Sequence, residues 1–117
     1  MENKRRFLRL EAKDFLEMSP LKELDRQIKG RSFNVTPMGI CFSSNICWEK
    51  GQVLLIDYFI PEELDSVKLK VVIVWSEFVD ENNGYLTGGE IIDIDKEKET
   101  CFINYYFQKL KEHFFNR

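Results

Sequence analysis

The strongest constraint in the sequence is a pair of apolar segments joined by a turn signal. Residues 68–79 place apolar side chains on two alternating faces, which is the two-residue period of a β-strand. Residues 80–84 end in Asn-Gly, which signals a hairpin and favours a primed turn. A return strand is predicted over 85–94, where Gly88-Gly89 indicates a bulge or a close backbone approach. A long antiparallel hairpin therefore organises this part of the chain.

Other extended segments are shorter and are separated by turns. They cover 8–15, with a break at Ser19-Pro20, then 31–35, a run starting at Ile40, and 52–60. Residues 21–29 fit either a helical turn or strand ends. Residues 36–39 predict a tight turn in which Pro37 presets φ and Gly39 is free to take a positive φ. Short strands at hairpin spacing predict a mostly β fold, a small antiparallel barrel.

The period changes after Asp95. Ile103, Phe107, Leu110 and Phe114 recur at helical spacing, which predicts a C-terminal helix with one apolar stripe. The aromatic residues of this helix exceed what one stripe needs. They either wrap the barrel or form a surface for a homodimer or an effector protein.

Composition narrows the function classes. The 117 residues suit one domain, and the net charge of −3 argues against DNA or RNA as partner. Three cysteines without a C-x-x-C pair and a lone His113 leave no basis for a metal site, a catalytic triad or an enzyme. With neither a signal peptide nor a membrane-spanning stretch evident, we expect a cytoplasmic protein without membrane insertion.

Two motifs occur in a fixed order. Arg5 and Arg9 form R-x-x-x-R, and 25 residues later Asn34, Thr36 and Gly39 form N-x-T-x-x-G. Together they resemble the paired signature of PilZ domains, and the resemblance extends over nearly the whole chain, including 51–61, 71–75 and 85–94. It implies one PilZ-like domain over 1–117, with a basic flexible arm at 1–9, a six-stranded, split-barrel-like β-barrel at about 8–95 and a helix at about 96–115.

The resemblance also implies a ligand, cyclic di-GMP, and no cofactor. The matching ligand-binding positions are Arg5, Arg9, Asn34, Thr36 and Gly39, with Lys4, Arg6 and Arg31 as auxiliary contacts. Guanidinium groups offer paired donors to phosphate oxygens and to the guanine edge. Thr36 replaces the family's serine, which keeps the hydroxyl but adds a methyl group. A tryptophan in an apolar strand is usually a core residue, and we expect this of Trp75.

Two functions follow from these expectations. In the first, the protein is a cyclic di-GMP receptor that orders its arginine arm on ligand binding and signals to a downstream effector protein. Motility, exopolysaccharide and biofilm control are the processes that the resemblance suggests. In the second, the protein is a PilZ-like adaptor without nucleotide binding, which acts through protein contacts of its aromatic C-terminal helix.

Overall fold

The computed structural model describes residues 10–11 and 13–115, which form seven strands, a short 3-10 helix and one α-helix. In chain order the elements are β1 (Leu10–Glu11), β2 (Phe15–Pro20), β3 (Ile28–Val35), β4 (Gly39–Ser44), β5 (Val53–Ile60), the 3-10 helix (Pro61–Glu63), β6 (Asp65–Asp80), β7 (Gly84–Ile94) and α1 (Glu99–Phe115).

The strands close into a barrel. Their order is β1-β3-β2-β5-β6-β7-β4, and an additional pairing between β3 and β4 joins the two sides. Six strands, β2 to β7, complete the ring, and every pairing is antiparallel. The two-residue β1 pairs with the end of β3, beyond the part of β3 that β2 covers. The predicted antiparallel barrel with a C-terminal helix is confirmed.

Alternation along the strands builds the barrel interior. In β5, every second residue from Leu54 to Ile60 is buried, as the strand period requires. Trp48 is buried beside β6, and its backbone N–H donates to the Ser76 hydroxyl. Its indole N–H is buried without a hydrogen-bond acceptor among the described residues, so Trp48 stabilises the core by packing alone.

Helix α1 packs on the barrel through aromatic residues other than those of the predicted stripe. Phe102, Tyr105 and Tyr106 are buried, whereas Phe107 and Phe114 are 44% and 55% exposed. The prediction chose the wrong face because it followed apolar spacing and discounted tyrosines, whose rings pack while their hydroxyls find polar partners. In the described residues, no helix is long and apolar enough to cross a membrane.

A buried polar cluster joins α1 to the barrel. The Asp14 carboxylate, in the segment between β1 and β2, accepts hydrogen bonds from the Tyr58 hydroxyl at 2.6 Å and from the Tyr105 hydroxyl. The Ser32 hydroxyl lies 3.2 Å from that of Tyr58 and accepts the backbone N–H of Asp14. Burial, together with the Asp14 carboxylate, raises the pKa of Tyr58 far above its usual value. Tyr58 therefore remains a hydrogen-bond donor at any physiological pH.

The hairpin between β6 and β7 forms as predicted, but its turn is of another type. Asp80 pairs with Gly84, which leaves a three-residue loop rather than a two-residue primed turn. The Asp80 carboxylate accepts the Asn83 backbone N–H at 2.7 Å and its side-chain amide. Gly84 has a φ of 70°, the left-handed conformation that this loop length requires.

Candidate functional site

The turn between β3 and β4 is stabilised by the Thr36 hydroxyl. Its oxygen accepts the backbone N–H groups of Met38 at 3.1 Å and Gly39 at 3.0 Å. The Thr36 backbone N–H in turn donates to the Gly39 carbonyl at 2.9 Å. Thr36 is 7% exposed, so its hydroxyl shapes the loop from within. The hydroxyl, which serine and threonine share, carries the structural role in this loop.

Gly39 does not adopt the positive φ that the turn prediction allowed, but it lies close to a neighbouring strand. The described glycines with a positive φ are Gly51 and Gly84, so Gly39 is not in the left-handed conformation. A Cβ at Gly39 would lie 3.2 Å from the Gly89 carbonyl oxygen on β7. The Met38 carbonyl, one residue earlier, accepts the Ile91 backbone N–H at 2.9 Å. The loop is therefore held close against β7.

Strand β1 places the start of the described chain beside this loop. Leu10 pairs with Val35, and Glu11 pairs with Asn34. Lys4, Arg5, Arg6 and Arg9, which the sequence assigns to the ligand, lie outside the described residues. The covalent chain nevertheless connects Arg9 directly to Leu10.

A row of four residues crosses the outer face of the barrel next to the loop. Asn34 on β3 pairs with Cys41 on β4, Cys41 with Gly88 on β7, and Gly88 with Trp75 on β6. Directly opposed residues of antiparallel strands project from the same face. The residues flanking Cys41, Ile40 and Phe42, belong to the core, so the row lies on the opposite, outer side of the barrel wall. Within the row, Cys41 is 3% exposed and Gly88 is also buried. At strand spacing the row is about 14 Å wide.

Trp75 lies at the far end of this row and is not a core residue. It is 37% exposed, and a Cβ at Gly88 would lie within 2.4 Å of its indole ring. The indole therefore covers the flat surface that Gly88 leaves open. The expectation of a core tryptophan was wrong because the register shifts between Ile73 and Trp75, with Val74 as the additional residue. The bulge leaves Ile73 inside and turns Trp75 outward. The Gly88-Gly89 pair was the sequence signal for this irregularity.

Arg31 occupies the same outer face but points toward the other side of β3. Its guanidinium lies 5.7 Å from the centre of the Phe15 ring on β2 and donates to the Lys13 carbonyl at 3.4 Å. Arg31 is exposed, and these contacts hold it near the segment where β1 ends.

These residues form a surface that suits the recognition of a flat heterocycle. The row combines an amide side chain, a close-lying backbone and an exposed indole, which suit the edge and face of an aromatic base. Among residues 10–11 and 13–115, no three His, Cys, Asp or Glu side chains lie together to hold a metal ion. The arrangement therefore suits the binding of a flat heterocyclic ligand.

Comparison with known proteins identifies the architecture. No protein-family model matches the sequence, and no curated protein matches it either. Among solved structures, the inhibitor of motility MotI/DgrA of Bacillus subtilis superposes with a TM-score of 0.76 at 15% identity, over 95% of this chain. The PilZ domain of YcgR from Escherichia coli, solved with c-di-GMP, gives 0.70 at 11% identity over 95% of both chains. The chain has the fold of a PilZ domain.

A third match extends this result. Apo MrkH from K. pneumoniae gives a TM-score of 0.69 at 10% identity and covers the whole of this chain. The present chain spans about half the length of MotI/DgrA and of MrkH, at 53% and 55%. At these identities the PilZ likeness is one of fold, and it places the N-x-T-x-x-G loop on a barrel of the same architecture.

Substitutions of Thr36 should distinguish the contribution of its hydroxyl to stability from the contribution of its methyl group. In Thr36→Ala, two backbone N–H groups lose their acceptor, and we expect the free energy of unfolding to fall by about 1 kcal/mol. Thr36→Ser keeps the hydroxyl and should differ from the wild type by less than about 0.5 kcal/mol. Urea unfolding followed by circular dichroism measures both. Equal losses in the two variants would assign the effect to the methyl group instead.

Proposed function

We propose that this protein is a receptor for cyclic di-GMP that binds the nucleotide between its arginine arm and the outer face of the barrel. Asn34, Thr36 and Gly39 form the barrel side of the site, and Arg5 and Arg9 form the arm side. Lys4, Arg6 and Arg31 are auxiliary cations. Binding fixes the arm on the barrel, which changes the surface offered to a downstream effector protein.

The observation that carries this proposal is the position of the N-x-T-x-x-G loop. The loop lies at the end of β3, where β1 also pairs, so the residue that follows the arm and the motif on the barrel are neighbours. The likeness to the PilZ domain of YcgR, solved with c-di-GMP, supports the choice of ligand. The likeness to an inhibitor of motility supports motility as one class of regulated process.

The phosphates and the bases of the ligand each have a chemically suitable partner. Guanidinium groups of the arm bind phosphate oxygens in pairs. The Asn34 side chain carries a donor and an acceptor for a guanine edge. Trp75 adds an exposed ring that stacks on a base. In this proposal Trp75 belongs to the site, although the motif pattern does not include it.

Replacing Trp75 tests the barrel side of the site. Because stacking on an aromatic side chain contributes about 1–3 kcal/mol per base, Trp75→Ala should weaken cyclic di-GMP binding about tenfold or more. Trp75→Phe should lose less, since a ring remains. The matched control is Trp48→Phe, which alters a buried tryptophan away from the row and leaves Trp75 as the single tryptophan. Calorimetry gives the affinities, and the fluorescence of Trp75 in the control variant should change on binding. Unchanged affinity in Trp75→Ala would remove Trp75 from the site.

A second candidate function rests on the exposed phenylalanines of α1. Phe107 and Phe114 are exposed, whereas Phe102, Tyr105 and Tyr106 of the same helix are buried. Exposed aromatic side chains of this kind favour protein contacts. In this alternative the protein is an adaptor that binds an effector, or a second copy of itself, without nucleotide. The two candidates differ in whether cyclic di-GMP binds at all, so one titration separates them.

A further inference from the structure

Acidic side chains border the part of the row that lies on β6 and β7. Residues 71–95 contain six Asp and Glu and no Lys, Arg or His. Two of these carboxylates border the row: Glu77 follows Trp75 by two residues on β6, and Glu90 follows Gly88 by two residues on β7. Side chains two residues apart on a strand share a face. Glu77 and Glu90 therefore project on either side of the indole, and both are exposed.

Neither Glu77 nor Glu90 takes part in an ion pair with another described residue. The ion pairs between described residues involve Arg26, Lys68, Lys98 and Lys109, with other acidic partners. The two carboxylates therefore oppose a ligand with two phosphates and attract a basic segment.

Such a segment is tethered at the edge of the same face. Residues 1–9 carry Lys4, Arg5, Arg6 and Arg9 against a single Glu2, a side-chain charge of +3. The segment joins the barrel at Leu10, whose partner Val35 adjoins Asn34, the first residue of the row. Nine residues reach up to about 30 Å when extended, and the row is about 14 Å wide. The arm is therefore long enough to reach both glutamates.

We propose that, without nucleotide, the arm docks on this face of its own barrel through contacts of its basic side chains with Glu77 and Glu90. Cyclic di-GMP then displaces the arm from the two glutamates. Its phosphates replace the carboxylates as the partners of the basic side chains. This exchange step rests on the proposed function, whereas the docking itself does not. The two glutamates thereby set the nucleotide concentration at which the arm changes partner.

Limited proteolysis of the 117-residue chain tests the docking. Trypsin cleaves after the basic residues of the arm, and mass spectrometry identifies products that begin at Phe7 or Leu10. At low ionic strength, where exposed charges are least screened, the Glu77→Gln/Glu90→Gln variant should lose its arm about fivefold faster than the wild type, the effect of two surface charge contacts. High salt should accelerate cleavage of the wild type toward the rate of the variant.

The matched control is Glu23→Gln/Glu97→Gln, which removes the same charge from turns outside the β6–β7 hairpin. This variant should release its arm at the wild-type rate, and equal thermal unfolding midpoints would exclude a loss of stability as the cause. Equal cleavage of the wild type and Glu77→Gln/Glu90→Gln at low salt would overturn the proposal.

Calorimetry with cyclic di-GMP separates this proposal from the proposed function. If both hold, Glu77→Gln/Glu90→Gln should bind the nucleotide about fivefold more tightly than the wild type, because a competing contact and a repulsion are removed. If the wild type does not bind the nucleotide, the receptor function and the exchange step fail, and the proteolysis result alone decides the docking.

Discussion

Replacing Arg9 with alanine should reduce the affinity for cyclic di-GMP by about a hundredfold. A paired, charge-assisted contact between guanidinium and phosphate is worth up to about 3 kcal/mol, which corresponds to that factor. Arg9 is bonded to Leu10, which pairs with Val35 at the edge of the proposed site, so this arginine has the shortest path to the ligand. Arg5→Ala should have an effect in the same direction. Calorimetry at fixed ionic strength measures both variants.

The matched control is Arg26→Ala. Arg26 forms an exposed ion pair with Glu23 at 3.4 Å, and such pairs contribute little to stability. Arg26→Ala removes the same charge from the protein and should leave nucleotide affinity within about twofold of the wild type. Equal losses in Arg9→Ala and Arg26→Ala would assign the effect to net charge and contradict a specific role for the arm.

The second large effect is expected at the polar cluster under α1. Asp14→Ala removes the acceptor of two tyrosine hydroxyls, and a buried donor without an acceptor costs about 1–3 kcal/mol. Tyr58 retains its neighbour Ser32, whereas the hydrogen bond between Tyr105 and Asp14, which joins the helix to the barrel, is lost. We expect the free energy of unfolding to fall by about 2–3 kcal/mol. Chemical denaturation measures this change.

A double-mutant cycle isolates the contact. Tyr105→Phe removes the hydroxyl but keeps the ring that packs on Tyr58, with ring centres 6.3 Å apart. In the Asp14→Ala background, Tyr105→Phe should cost about 1 kcal/mol less than in the wild type, because its partner is already lost. Tyr106→Phe in both backgrounds is the control on the neighbouring residue. Strict additivity of Asp14→Ala and Tyr105→Phe would show that the carboxylate does not hold the helix.

Several strands could be predicted from the sequence because the two-residue period persists over most of their length. The predicted strand over 52–60 corresponds to β5 (Val53–Ile60), and the predicted return strand over 85–94 to β7 (Gly84–Ile94). Regular periodicity and turn residues are local properties, so one sequence is sufficient to locate them. Residues 21–29, whose pattern was ambiguous, contain turns and the start of β3 at Ile28.

Predictions of which face of a strand or helix is buried failed where an offset of one residue moves the apolar pattern to another face. The bulge at Val74 turns Trp75 outward, since a single inserted residue exchanges the two faces of a strand. Along α1, an offset of one residue separates the predicted stripe at Phe107 from the buried Tyr106. In both cases the element that packs against the strand or helix decides which face is buried. The apolar pattern of a single segment does not identify that element.

The candidate site was likewise predicted only in part, where local sequence patterns were sufficient. The sequence identified the loop that contains Asn34, Thr36 and Gly39, and the structure places that loop beside β1. The Thr36 hydroxyl bonds the loop backbone, and the contact of Thr36 with the ligand stays a prediction. The outward position of Trp75 depends on pairing across four strands, and such long-range pairing follows from the closed barrel rather than from local patterns.

The most direct test of the receptor function is a calorimetric titration of the wild-type 117-residue chain with cyclic di-GMP, with GMP as the control ligand. We expect saturable binding of cyclic di-GMP at micromolar or lower concentration, a stoichiometry of one or two nucleotides per chain, and affinity that weakens as salt rises. No heat of binding with tens of micromolar cyclic di-GMP, or equal binding of GMP, would contradict the receptor function.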